Sequence, residues 1–247
     1  MKEDIMKTMH KKLIQMAVVA ICAGAAGAVA AAGAPAKADT TSAAVKQGAA
    51  ASQHVTDAIA VVGKIEAEGR LHAVLGNAKG IFIVPSYGRA ALGVGAAGGT
   101  GILLVRRAEG GWSDPVFYKT GGLSVGLQAG AAGGAMALIL NNDKAVSEFL
   151  KKNNFSINAK AGLTVVNWNK MVQGSAGTGD VLAWSDTKGL FGDVATLEFN
   201  DIRYNQAMTN AYYQRSLSAS DVIDGKTGNP QAGPLVQALV AAAAPIR

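Results

Sequence analysis

Between Leu123 and Gly130 apolar Leu123, Val125, Leu127 and Ala129 alternate with Ser124, Gly126, Gln128 and Gly130. A period of two puts one set on the buried face of a β-strand and leaves small or polar groups on the other. Around it, strand signals recur at Gly80–Pro85, Ala90–Ala97, Gly101–Arg107, Pro115–Lys119 and Ala135–Leu140. Glycine interrupts them repeatedly, as in Gly93-Val94-Gly95-Ala96-Ala97-Gly98-Gly99-Thr100-Gly101. Glycines inside strands mark bends, bulges or the close passage of another backbone. The pattern predicts a strongly curved antiparallel sheet, closed or nearly closed on itself.

Helical spacing brackets this sheet. Val55, Ile59, Val62 and Ile65 share one face of a helix that ends near Gly69. Asn142 or Asp143 caps a short helix through Leu150, with Asn153-Asn154 suited to stopping it. Alternation returns at Ala159, Ala161, Leu163 and Val165, and Val181–Trp184 and Leu190–Phe199 complete the expected sheet. A helix is expected near Asp201–Tyr213, with Met208 and Tyr212 on one face. Asn229-Pro230 starts a last helix, with Leu235, Leu239 and Val240 as its stripe. The expected class is α+β, a Gly-rich barrel-like sheet flanked by N-terminal and C-terminal helices.

Lys7, Lys11 and Lys12 precede an apolar run from Leu13 to Ala32, followed by Ala34-Pro35-Ala36-Lys37-Ala38. This order of charged, apolar and small residues is that of a secretory signal peptide. Residues 1–38 are read as the leader and 39–247 as one domain, periplasmic or secreted, with membrane association left open. A lipoprotein would use Cys22, but Ile21 stands where a small residue is expected. The apolar run also approaches the length of a membrane anchor.

Composition narrows the chemistry. With 49% hydrophobic residues the chain can bury a substantial core, and 31 glycines with 6% aromatics suit a light, closely packed sheet. Loss of residues 1–38 removes five lysines and two acids, lowering the formal charge from +6 to +3. That remainder mildly favours anionic partners and argues little for nucleic acid. Cys22 is the only cysteine, so the mature domain has no internal disulfide.

Two catalytic-looking patterns fail on context. Gly93-Val94-Gly95-Ala96-Ala97-Gly98 fits a dinucleotide fingerprint, but the residues after it read as strand where that site needs a helix. Gly122-Leu123-Ser124-Val125-Gly126 fits a nucleophile elbow, yet no histidine follows His72 to complete a triad in the usual order. His54 and His72 have no cysteine beside them in the mature chain, and the carboxylates are scattered. Neither a metal site nor a cofactor is expected, and no enzyme activity.

Four separated blocks carry a resemblance. Gly111-Trp112-Ser113-Asp114-Pro115-Val116-Phe117 and Gly121-Gly122-Leu123-Ser124-Val125-Gly126-Leu127-Gln128 resemble the signature of the SYLF domain family. Trp184-Ser185-Asp186-Thr187-Lys188-Gly189-Leu190-Phe191-Gly192 and Asn210-Ala211-Tyr212-Tyr213 agree with it. The similarity runs from about Val55 to Ile223; the Gly-Pro usual near Gly162 is absent. The resemblance implies a phospholipid-binding module, called actin-binding in its fungal members and exported in bacteria.

The expected function is therefore non-catalytic binding of anionic phospholipid or a membrane surface. The alternative is a structural or protein-interaction module of the cell envelope. Trp112 in its turn, with Arg106, Arg107 and Lys119 around it, is the candidate lipid-binding group, since indoles favour the headgroup level and cations meet phosphate. Lys188 joins it from the third block. The competing reading has Trp112 packed over one end of the sheet and the arginines as a solvated edge.

The mature chain is expected to begin at Lys37 or Asp39, without lipid on Cys22. Intact-mass measurement of material from an expressing bacterium checks this; the mass of a diacylated chain starting at Cys22 would contradict it.

Overall fold

Two long strands, β1 (Gly80–Val105) and β2 (Val116–Leu140), pair antiparallel from Gly80 opposite Leu140 to Leu103 opposite Val116. The computed structural model describes residues 36–151, 154–174, 179–187 and 199–244, with side chains throughout except at 36–41, 89–96 and 122–132. The six strands expected between Gly80 and Leu140 are thus two, because their glycine-rich joints stay paired. Drawn straight, this hairpin would span on the order of 85 Å. A domain of this size has a radius of gyration of about 17 Å. The hairpin must fold over, and it does.

The ends of β1 lie side by side. The Arg106 backbone N–H donates to the Lys79 carbonyl at 2.8 Å. A Cβ on Gly99 would lie 2.6 Å from the Ser86 carbonyl oxygen, and one on Gly101 would overlap the Phe82 ring. Only glycine admits these approaches. Register shifts at Val84/Tyr87 and Leu92/Val94 supply the accompanying irregularities, as bulges do where strands bend.

Four short strands extend the sheet: β3 (Phe155–Ile157), β4 (Val165–Asn167), β5 (Val181–Ser185) and β6 (Phe199–Tyr204). The order is β3-β6-β2-β5-β4, with β6 on the first part of β2 and β5 on the last. With each half of β1 and β2 counted separately, eight strand segments make a nearly closed, barrel-like sheet. Among the described residues all pairs are antiparallel except β4 with β5, which is parallel.

Helix α1 (Ala36–Glu66) buries Ala51, Val55, Ala58, Val62 and Ile65 at helical spacing. A short α2 (Leu71–Asn77), absent from the sequence expectation, follows. Asn142 caps α3 (Asp143–Phe149) by accepting from the Ala145 N–H. After β4 come α4 (Trp168–Val172), α5 (Gln206–Tyr213), α6 (Ala219–Ile223) and α7 (Gly233–Ala242). Asn229 caps a 3-10 turn that leads into α7, which buries Leu235 and Leu239; Val240 is exposed. Inside the sheet, Phe82, Tyr118, Phe149 and Phe155 form an aromatic cluster. The Tyr118 and Phe149 rings meet edge to face, 5.2 Å apart, and the Tyr118 hydroxyl donates to the Phe149 carbonyl.

Two expectations need correction. Ala159–Ala161 is a 3-10 turn capped by Asn158, and the strand begins only at Val165. Residues 201–204 belong to a strand, and the helix starts at Gln206 under an Asn205 cap. Buried Phe199 and Ile202 lie three apart on this strand. Phe155 and Ile157, two apart on β3, pair with Ile202 and Phe199, three apart on β6. The extra residue is a bulge, and Asp201 in it has a φ of 56°. The expected strand at Leu190–Phe199 lies outside the described residues except for Phe199.

Gly101→Ala should destabilise the fold by about 1–3 kcal/mol through overpacking against Phe82. Gly88→Ala, where a Cβ meets nothing within 4 Å, should leave the melting temperature near that of wild type. Thermal unfolding of both variants tests whether the crossing of β1 over itself is the tight point.

Candidate functional site

The turn between β1 and β2 is built from the residues that suggested a lipid site. Gly110 and Gly111 have φ of +95° and +78°, which reverses the chain and brings Trp112 opposite Arg106. Ser113 closes the turn, donating its N–H to the Val105 carbonyl at 2.7 Å and accepting from the Val105 N–H on Oγ at 3.0 Å. Trp112 is 4% exposed, with the Arg106 guanidinium 4.5 Å from its ring centroid. The same guanidinium donates to the Leu75 and Ala78 carbonyls at 2.8 and 2.9 Å. Arg106 therefore ties the end of α2 to the hairpin, and reversing its charge would break that joint. Trp112 packs inside.

Arg107 lies against the Gly225 turn and beside half-buried Asp114. Burial raises the Asp114 pKa above the ordinary carboxylate value, and the Arg107 charge partly opposes this. Close by, burial raises the Tyr212 and Tyr213 hydroxyls well above the usual phenol. The Tyr213 hydroxyl donates to the Pro115 carbonyl at 2.8 Å. Three buried polar atoms in this region, Arg107 Nε, Trp112 Nε1 and the Tyr212 hydroxyl, have no hydrogen-bond partner among the described residues.

Lys119 is elsewhere. It sits on β2 opposite Thr100, six residues back along β1 from Arg106, about 20 Å at strand rise. Its other neighbour, directly across in β6, is Arg203. Both are exposed; Arg203 is held by Asp201 through two bonds of 2.7 and 2.5 Å. The structure thus gathers Arg106, Arg107 and Trp112 at one turn but leaves Lys119 on the sheet surface. Lys188 lies outside the described residues.

Residue patterns gave no hint of a second constellation. Glu68, in the turn after α1, accepts from the Trp168 indole on Oε2 at 2.5 Å and from the Trp184 indole on Oε1 at 2.7 Å. The two tryptophans are 4% and 2% exposed. Beside them opens a cleft of about 330 Å³. Two of only three tryptophans in the chain were a compositional signal, but nothing in their spacing ties them to an acid 100 and 116 residues away.

The catalytic-looking patterns lie in continuous strand. Gly93–Gly98 is inside β1 with no helix after it, and Ser124 sits in β2 opposite Gly95. Among the described residues no group of three or more His, Cys, Asp or Glu could hold a metal, and no helix is long and apolar enough to cross a membrane.

Comparison with known proteins places the chain. Residues 121–242 match the family model described as Ysc84, Las17-binding protein actin regulator. The chain is 29% identical over 160 residues to the SH3 domain-containing YSC84-like protein 1 of Homo sapiens, covering 64% of this chain and 46% of that protein. It is 29% identical over 173 residues to an SH3 domain-containing protein of Schizosaccharomyces pombe, covering 68% and 40%. To Protein YSC84 of Saccharomyces cerevisiae it is 26% identical over 172 residues, covering 67% and 36%. The chain spans less than half the length of these curated relatives. No solved structure matches it.

A pH test follows from Asp114. Its folded pKa is raised, so its protonated form stabilises the native state below the unfolded value of about 3.9. That contribution is lost as pH rises through the higher folded pKa. Asp114→Asn should therefore melt above wild type at neutral pH, with the gap closing as pH falls toward about 3.9. Melting curves across that range check the sign; a variant less stable at neutral pH would contradict it.

Proposed function

The chain carries a domain of the Ysc84 (SYLF) family, and from that premise we propose that it acts by binding rather than catalysis, with anionic phospholipid at a membrane surface as its ligand. The observation that carries this reading is the cross-strand pair of Lys119 and Arg203. Like charges directly opposite on a sheet disfavour folding by a few tenths of a kcal/mol to about 1 kcal/mol. Asp201 compensates Arg203, whereas Lys119 has no acidic partner among the described residues. A rigid strand thus presents an uncompensated ammonium beside a guanidinium, and lipid phosphates would relieve the repulsion. Arg106 and Trp112 then serve the scaffold, and Arg107 lies against the Gly225 turn beside Asp114. The leader suggests that this binding takes place outside the cytoplasm, in the periplasm or after secretion.

A protein partner is the second reading, favoured by the family's description as a Las17-binding actin regulator. On that reading the same exposed cations would meet an acidic protein surface.

Sedimentation with vesicles separates the two. Lys119→Gln with Arg203→Gln should weaken binding to phosphatidylglycerol vesicles by about thirtyfold, at about 1 kcal/mol for each basic residue near an anionic surface. Added salt should weaken wild-type binding in the same direction. Undiminished vesicle binding by a variant with wild-type circular dichroism would remove this surface from consideration. Sedimentation of wild type with actin filaments but not with vesicles would favour the protein partner.

A further inference from the structure

The Glu68 cleft has features that the fold alone does not require. Its carboxylate is only partly buried and receives one neutral indole donor on each oxygen, which fixes its orientation. Neither donor cancels its charge, and among the described residues no cation pairs with it. Each oxygen keeps a lone pair for a further donor. Trp168, 4% exposed, forms the wall of the cleft beside it, so a cation placed there would meet the acid against an apolar edge. Arg70, two residues on and exposed, lies on the same cleft with the amides of Asn169 and Gln173. Glu68 is the only acid among the lining residues, too few oxygen ligands for a divalent metal ion. A lone anion would be repelled by Glu68. A ligand carrying both charges fits.

We propose that this cleft binds a small zwitterion of the aminoalkyl phosphate class. The ammonium sits on Glu68 beside Trp168, the phosphate meets Arg70, and Asn169 and Gln173 supply the remaining hydrogen bonds. The ligand is either a free aminoalkyl phosphate or the headgroup of an aminophospholipid. The site is separate from the Lys119–Arg203 surface and does not depend on it.

Calorimetric titration of the purified full chain with phosphoethanolamine, ethanolamine and inorganic phosphate tests the assignment. Phosphoethanolamine should bind saturably at millimolar concentration or below, and each half-ligand at least about tenfold more weakly, since each forfeits a charge-assisted contact. Arg70→Ala should weaken phosphoethanolamine by about tenfold while leaving ethanolamine unchanged, a pattern that loss of fold would not give. Glu68→Gln should abolish the response to both amines; if it fails to fold by circular dichroism, the Arg70→Ala comparison decides alone. Competition of free phosphoethanolamine with phosphatidylethanolamine vesicles would support a headgroup as the natural source, and binding without competition a free metabolite. No saturable response to phosphoethanolamine, equal binding of inorganic phosphate, or an Arg70→Ala variant with wild-type affinity would each overturn the proposal. Phosphatidylglycerol vesicles, run alongside, report on the Lys119–Arg203 surface independently.

Discussion

A hairpin of 26- and 25-residue strands cannot lie flat on a domain of this size, and the rest of the architecture answers that constraint. The hairpin doubles back until Arg106 hydrogen-bonds to Lys79, bringing the Phe82 end of β1 against Gly99 and Gly101. The crossing has no room for a side chain at these glycines. The geometry leaves β2 with two different neighbours on one edge, β6 for its first part and β5 for its last. Everything else in the sheet grows from those two attachments.

The family signature becomes intelligible in these terms. Ser113 closes the hairpin turn, and Tyr213 reaches across to the Pro115 carbonyl. In the block after Trp184, Asp186 accepts from the Ala135 N–H and pairs with Lys64 of α1 at 2.5 Å. Asn210 accepts from the Leu217 N–H, tying α5 to the chain that follows it. These residues are joints, where one side chain satisfies the backbone of another element and an unmade bond would leave a buried polar group exposed to its full desolvation cost. Motif residues of this kind identify a fold more reliably than they identify a binding site. That is why Trp112, prominent in the signature, proves to be packed within the domain, with Arg106 bonded beside it.

The surface then has to be read separately from the signature. Lys119 and Arg203 lie in different blocks of sequence and meet only because β6 docks on the first part of β2. Glu68 joins Trp168 and Trp184 because the turn after α1 lands over the β4–β5 edge. Neither pairing belongs to a local motif. Both place charge where the surrounding protein does not cancel it, which distinguishes them from the Arg106 joint.

The alternation, the glycine interruptions and the caps at Asn142 and Asn229 are short-range properties, and the sequence alone determined from them the α+β class, the curved sheet and its flanking helices. Its ordered blocks also carried the resemblance to the family whose model matches residues 121–242. Tertiary structure alone decided that six strand signals form one folded-over hairpin, because continuity of pairing across glycine joints depends on the partner strand. It decided that residues 201–204 continue a bulged strand where a helix was expected, since a bulge is defined only against its partner strand. It decided, too, which charges stand uncompensated. The indole bonds to Glu68 span 100 and 116 residues, and contacts at that range are set by how elements pack, which no local periodicity encodes.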